Sequence, residues 1–436
     1  MVPTFKKSRT QLLRDMIDVK EGMDMTRTAD KLYEEREKRL RDAIQLKEPD
    51  RVPVLFSLGY FPAVYNSMPT ATAFYDIVAW KEACHKTIVD FAPDLYWMAS
   101  GESSGVALEA LDSKRTKWPG YNLPPDVSHQ ALEGESLRED EWDLFLADPS
   151  DFILRRHLPR VFGVLAPFAR LPSLRSWGGG LPTTMFVTPE FQQAFEAIFK
   201  AGRETAKQQK VMSTFDDEMA ALGFPPYRHG VANAPFDALS NTYRGLRGSM
   251  IDMYRRPEKL LEAIEMFVPL SLERAAATAA SRKRGNPKRV VLPLHKGAEG
   301  FMSLKQFETF YWPTFKKVLL SLMDLGLVPM PFFEGEYTSR LEYLLELPKG
   351  KAVCHFAYID IARAKAVLGG HLCMVGSVPP SLLAVGSAQE VEEYCRDLIE
   401  VAGKGGGFIL ANASADEAKP ENIKAMIDAA KKYRTY

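Results

Sequence analysis

No charge of one sign dominates this sequence: 56 Lys and Arg stand against 56 Asp and Glu, so no global field draws the chain to nucleic acid or to anionic lipid. No apolar run approaches the ~20 residues that a membrane-spanning helix requires; Val318–Met323 and Phe408–Ala411 are among the longest. The basic start, Met1 to Thr10, is followed by no apolar stretch of the kind a secretory signal carries, and a cytoplasmic location is expected. The four cysteines, Cys84, Cys354, Cys373 and Cys395, contain no C-x-x-C pair, which argues against a disulfide framework and against a zinc site of four thiolates. Cys354 and Cys373 fall in apolar runs and read as small buried hydrophobes. No Gly-Lys-[Ser/Thr] follows the glycine cluster Gly403–Gly407, so it is not a phosphate-cradling P-loop; a tight turn from a helix into a strand is expected. What is present is ample apolar material, 46% of 436 residues, for one large core. These exclusions point to small-molecule chemistry, with no nucleic-acid or membrane partner.

Eight short β-type runs alternate with helical stretches: 51–56, 95–98, 230–234, 290–295, 327–332, 352–356, 372–376 and 407–411. That alternation predicts an α/β chain, a parallel (β/α)8 barrel of the TIM type. Residues 1–44 read as an N-terminal helical extension, with Thr28–Ile44 a single amphipathic helix, and 45–436 as the barrel domain. Helices are expected from Pro257, where proline sits in a first turn, and from Ala388, where acids come early and glycines follow the end. The interval 100–228 is too long for one connection. Its turn signals, Trp118-Pro-Gly-Tyr, Leu123-Pro-Pro-Asp and Ser176-Trp-Gly-Gly-Gly-Leu-Pro, predict a hairpin and several helices over the barrel mouth.

Three blocks of the chain are similar to one family. Ala43-Ile-Gln-Leu-Lys-Glu-Pro-Asp-Arg-Val-Pro-Val resembles the entry to the first strand of uroporphyrinogen decarboxylase-like proteins. Gly230-Val-Ala-Asn-Ala-Pro-Phe-Asp, continued from Arg244 to Asp252-Met-Tyr-Arg-Arg-Pro-Glu, resembles their glycine-proline-phenylalanine strand and the helix after it. His295-Lys-Gly-Ala-Glu-Gly-Phe, Gly376-Ser-Val-Pro-Pro and Gly405-Gly-Gly-Phe-Ile-Leu are similar to later strand entries. The resemblance covers roughly residues 43–430. It implies one of two chemistries, decarboxylation of uroporphyrinogen or methyl transfer involving a corrinoid, usually at zinc. The decarboxylases' arginine-rich Met-Arg-Gln-Ala-Gly-Arg stretch is replaced here by Phe56-Ser-Leu-Gly-Tyr-Phe-Pro-Ala, without an arginine to clamp carboxylates. Turnover of uroporphyrinogen itself is not expected. The methyltransferases' His-x-Cys-Gly falls on Phe332-Phe333-Glu334-Gly335, and their later cysteine on Ala411-Asn-Ala-Ser414, so the thiolate ligands of that branch are absent.

Catalytic groups of such barrels sit at the carboxyl ends of the strands. Those ends supply Ser57, Ser100, Glu102, Asp237, Lys296, Glu299, Glu336, Ser377 and Ser414 beside the residues selected here. Glu334, His295, His355 and Asp360 are the candidate acids and bases; Glu334 is the sharpest, since an acid after an apolar strand is open to desolvation and a raised pKa. Glu336, Thr338 and Ser339 are better placed to cap the next helix, and Asp360 can equally start one. Tyr60, Trp97, Asn233, Phe332, Phe333, Tyr337, Tyr358 and Asn412 are the candidate substrate-binding residues. His295, Glu334 and His355 are a candidate zinc set, although no HxxxH or CxxC spacing marks one. Arg244, Arg247, Arg255 and Arg256 make a basic helix expected to face solvent.

The leading expectation is a methyltransferase that demethylates a methoxy or related small donor, with a corrinoid carried by a partner protein. A decarboxylase or lyase acting on a small aromatic or pyrrolic carboxylate is the alternative in the same fold, and a non-catalytic binding barrel the alternative outside enzymes. A homodimer is the candidate assembly.

Overall fold

The computed structural model of the protein describes residues 25–97, 103–281, 284–285 and 287–433. Ser100 and Glu102 lie outside the described residues. All eight expected runs are strands: β1 (Val54–Ser57), β2 (Leu95–Trp97), β3 (Gly230–Val231), β4 (Arg289–Leu294), β5 (Val328–Phe333), β6 (Val353–Phe356), β7 (Cys373–Val378) and β8 (Phe408–Asn412). They form one parallel sheet in the order β2-β1-β8-β7-β6-β5-β4-β3. The ring closes between β2 and β3 through a parallel bridge from Tyr96 to Pro226, where the Tyr227 N–H donates to the Tyr96 carbonyl at 2.8 Å. This is a (β/α)8 barrel.

Alternation along each strand sorts its residues between two cores. Leu55, Leu95, Trp97, Val291, Val328, Met330, Phe332, Val353, Val375, Ile409 and Ala411 fill the barrel interior. Phe56, Val290, Leu292, Phe333, Phe356 and Leu410 face outward into the layer beneath the surrounding helices. The amphipathic N-terminal helix, α1 (Met25–Ile44), puts Leu40, Ala43 and Ile44 into the interior cluster and so stoppers the amino-terminal end of the barrel. Its Glu37 accepts a bidentate pair from the wholly buried Arg289 at 2.8 and 2.9 Å. Arg39 and Arg51 converge on Asp94, whose carboxylate also takes the Val54 N–H.

Prolines set the strand lengths. In β5 the N–H groups of Val328 and Glu334 point to β4, where they meet the Lys288 and Leu294 carbonyls. Pro329 and Pro331 occupy the alternate positions, which would donate to β6, and the β5–β6 ladder accordingly pairs only Phe332 with His355 and Phe333 with Phe356. Pro293 acts likewise on the other side of β4: the ladder to β3 ends at Ala232 N–H to Val291 C=O.

The long segment between β2 and β3 contains the expected hairpin, Thr116–Lys117 against Gln130–Ala131, followed by helices from Trp142 to Ala221. Its own small core gathers Leu165, Phe168, Leu171, Phe191 and Ala194. The stretch 128–134 runs over the mouth as a strap. At one side Ser128 donates to Asp416 beyond β8 at 2.9 Å and His129 Nδ1 meets the Tyr60 hydroxyl at 2.6 Å. At the other, Glu133 lies 3.6 Å from Lys296 and accepts the Leu246 N–H. The glycine cluster is the expected turn: Gly405, Gly406 and Gly407 all adopt positive φ, and a Cβ on Gly406 would come within 2.4 Å of the Lys47 carbonyl oxygen. The cysteines are free and buried. The basic helix departs from expectation, because Arg244 is buried and bonded to Asp252, Glu135 and the Leu137 carbonyl. A guanidinium so clamped is structural.

Candidate active site

The sheet register creates the central pair. β4 and β5 align Leu294 with Phe333, which places His295 opposite Glu334. Both continue inward-facing rows, Val291 and Pro293 on one strand, Met330 and Phe332 on the other. Their side chains therefore meet at the mouth, His295 Nε2 lying 3.4 Å from Glu334 Oε2.

Two further groups hold His295. With β3 pairing ended by Pro293, the His295 N–H is captured by Asp237 Oδ2 at 3.0 Å, and the Lys296 N–H by Oδ1 at 2.9 Å. The Asp237 carboxylate is buried and also accepts from the Tyr311 hydroxyl at 2.6 Å. Burial pushes its pKa up, against the opposing pull of His295, Tyr311 and the two amides. Asn241 Nδ2 donates to His295 Nδ1 at 2.9 Å, which leaves the neutral ring its Nε2–H to offer to Glu334. Burial disfavours the imidazolium, but the hydrogen bond and charge of Glu334, with Asp237 behind, outweigh it and raise the His295 pKa above its ordinary value.

Glu334 is not desolvated as expected: 41% of its side-chain surface remains accessible. Glu336 accepts the Thr338 N–H and Glu299 the Ser339 N–H, so capping of the next turn falls to these acids and leaves Glu334 to His295.

His355 stands one layer lower. The register that pairs it with Phe332 sets Ala357, not His355, beside Glu334. Its ring is fully buried among Trp97, Tyr227 and Phe332, with centroids 5.8, 5.8 and 4.5 Å away. Burial lowers its pKa to about 3, so it is neutral near pH 7 and is not an acid catalyst there. Ser377 lies 3.5 Å from Nε2, and Nδ1 has no hydrogen-bond partner among the described residues. Among the described residues no three His, Cys, Asp or Glu side chains come together as a metal requires. The zinc set of His295, Glu334 and His355 does not form.

Other expected residues are employed elsewhere. Asp360 is exposed and caps the helix Ile361–Leu368, accepting the Arg363 N–H at 3.0 Å; a short acid whose backbone precedes a helix is held by those orphan donors. Asn412 spends its amide on Ser57, taking its N–H at 2.9 Å and donating to its carbonyl at 2.8 Å, and so extends the β1–β8 ladder by one side-chain rung. Phe333, adjacent to Phe332, faces outward onto Phe356 and Tyr337. Tyr337 is buried beside Tyr311, and Tyr358 is 55% exposed. Tyr60 lies under the strap against His129 and Trp80. Trp97 and Phe332 pack edge to face at 5.2 Å in the barrel interior. Asn233 is half-buried just past β3, its carbonyl accepting from Ser271. Lys296 is ion-paired with Glu133, as a lysine at a loop is expected to be.

Asn241, Tyr311 and Asp237 as a clamp escape sequence reasoning. Asp237 alone had a signal, its place three residues after the β3 run.

The uroporphyrinogen decarboxylase (URO-D) family model matches residues 228–433. No curated protein sequence matches the chain. Among solved structures, a methyltransferase from Methanosarcina mazei is similar over 91% of this chain and 98% of its own, with TM-score 0.59 and 14% sequence identity, a likeness of fold. The barrel and its strand order agree with the family match, which spans the chain from the end of the long segment to the last helix.

Proposed function

We propose that this protein is a methyltransferase that removes the methyl group from a small methoxy-type donor, with a corrinoid on a partner protein as acceptor. The observation that carries the reading is the His295–Glu334 pair, a proton source fixed at adjacent strand ends by Asp237 and Asn241. The acceptor, when bound, would supply a nucleophilic metal centre whose own electron pair forms the new bond to the methyl carbon. This chain's task is the other product. As the carbon–oxygen bond breaks, the leaving oxygen keeps its electron pair and needs one proton to depart as an alcohol or phenol. A raised pKa keeps His295 protonated further toward neutral pH than a free histidine; in that state Nδ1 is a donor, the Asn241 amide turns over to accept it through Oδ1, and Glu334 balances the imidazolium charge. At 3.4 Å their contact is longer than a tight charge-assisted bond, so a leaving oxygen can share the Nε2 proton. Trp97 and Phe332 offer an apolar, aromatic floor. The fold shared with a methyltransferase agrees with this reading.

A decarboxylase or lyase of a small aromatic or pyrrolic carboxylate is the second reading, favoured by the same pair: His295, held by Glu334 and Asp237, is placed to deliver a proton to a carbanion. Anaerobic incubation with reduced cobalamin and a panel of methoxyaromatic compounds separates the two. Methyl transfer seen as the absorbance change of the cobalt, dependent on the protein and lost in Glu334→Gln, is the expected result. Release of carbon dioxide from a carboxylated aromatic, with no methyl transfer from any donor, would overturn it.

A further inference from the structure

A cleft of about 310 Å³ opens on the segment between β2 and β3, and none of its lining residues belongs to the barrel-mouth site. It is lined by four arginines, Arg138, Arg155, Arg156 and Arg160, and by one carboxylate, Glu141. A widened helical turn, Ile153–His157, carries Arg155 and Arg156 and leads into the turn that carries Arg160. In an unbroken α-helix Arg155 and Arg160 would stand roughly 140° apart; a π-type turn carries more residues per revolution and swings them toward one side.

Two of the guanidinium groups are immobilised. Arg155 is bonded through Nε and a terminal nitrogen to Asp151, and Arg160 binds Glu141 bidentately at 2.6 and 2.7 Å. Among the described residues the other two have no such clamp: Arg156 Nε lies 3.6 Å from Glu141 Oε1, and the Arg138 backbone N–H donates to Glu141. Within the lining and its clamps, four cations stand against the two carboxylates Glu141 and Asp151, while the neighbouring Glu139 is committed to Arg256. His157 adds none; burial first, and then the neighbouring Arg115 and Arg160, lower its pKa to about 4. Guanidinium forks match the oxygens of phosphate, and a concave wall with fixed donors spares the ligand part of the ordering entropy.

We propose that this cleft binds a phosphorylated small molecule, an anion with at least two negative charges held between the clamped pair Arg155 and Arg160 and the unclamped pair Arg138 and Arg156. The volume suits a compact phosphate ester rather than a polymer. The site stands apart from the methyl-transfer reading and survives its failure.

Pyrophosphate is the probe, titrated calorimetrically into the full chain, with sodium chloride of equal ionic strength as the control. Saturable binding of one equivalent is expected, weakened roughly tenfold or more in Arg138→Gln/Arg156→Gln and unchanged in Arg203→Gln on the exposed face of the helix Pro189–Met212. The double variant spares both bidentate pairs, and an unaltered melting temperature certifies its fold. Pyrophosphate binding no tighter than chloride, equal binding by the double variant, or an equal loss in Arg203→Gln would overturn the proposal. Vesicles containing phosphatidylserine provide the last arm: retention by vesicles without pyrophosphate binding would reassign the arginines to a lipid surface and likewise overturn it.

Discussion

Replacing Asp237 by Asn takes one acceptor from a clamp that has none to spare. Three donors reach this carboxylate, the His295 and Lys296 amides and the Tyr311 hydroxyl. Asn can keep its oxygen at the place of Oδ2, serving His295 and Tyr311, but its amide nitrogen then faces the Lys296 N–H, donor against donor. An unpaired buried donor costs about 1–3 kcal/mol. Relief of a buried charge offsets part of this at neutral pH, so a net loss near the lower bound, about 1 kcal/mol, is expected for Asn, and about 3 kcal/mol or more for Ala, which strands all three donors. The pH dependence has a definite sign. The folded pKa of Asp237 is raised above its unfolded value, so its contribution is fully present below the unfolded pKa and is lost as pH rises through the folded one. The stability gap between wild type and Asp237→Asn therefore widens on acidification. Denaturant unfolding at several pH values measures it, and nuclear magnetic resonance titration of the His295 ring reports whether the loop has moved. A variant as stable as wild type within about 0.5 kcal/mol, with an unchanged His295 titration, would refute the clamp.

Glu334→Gln removes the charge that opposes burial at His295 and leaves only a neutral acceptor, so the His295 pKa falls; a ring titration that does not shift would dissolve the pair. His355, with a folded pKa of about 3, shows no ring titration between pH 5 and 9. Its lowered pKa makes a contribution present above the unfolded value and lost as pH falls toward the folded one, and His355→Phe flattens that part of the acid-unfolding curve; a ring that titrates near pH 6.5 would contradict the burial. Gly59 has φ +51° and would bring a Cβ to 1.9 Å from Asp416 Oδ1, the atom that accepts the Tyr60 N–H. Gly59→Ala is expected to destabilise the protein by about 1–3 kcal/mol and to loosen the strap; unchanged unfolding would show that the loop re-forms freely.

The barrel was legible because its signal is repeated: each strand is a short apolar run, each is followed by a helical stretch, and errors at single ends do not disturb the count. The site was legible to the level of strand ends. His295 and Glu334 were selected as ends of neighbouring strands, but that they face each other depends on a register of 39 residues between β4 and β5, which no local pattern encodes. The same quantity separated His355 from them, since its offset to β5 sets it level with Phe332. Phe332 and Phe333 were taken together although period-two alternation sends them to opposite sides of the wall. Asp360 and Asn412 are engaged with unpaired backbone groups, as short polar side chains at strand and helix ends commonly are. Asn241 reaches His295 from a turn whose geometry is set by tertiary packing and carries no sequence mark.

The stopper at the amino-terminal end of the barrel has a consequence in time. During synthesis α1 emerges before any of its partners, yet Glu37 waits for Arg289, and Leu40, Ala43 and Ile44 wait for residues as late as Ile409. Pairings across 250 or more positions pay chain-closure entropy before any contact rewards it, and folding of such topologies is slow. Until β8 leaves the ribosome, the barrel interior that covers the apolar stripe of α1 is incomplete. The growing polypeptide thus carries a partly covered amphipathic helix while the later strands are made, a natural handle for chaperones.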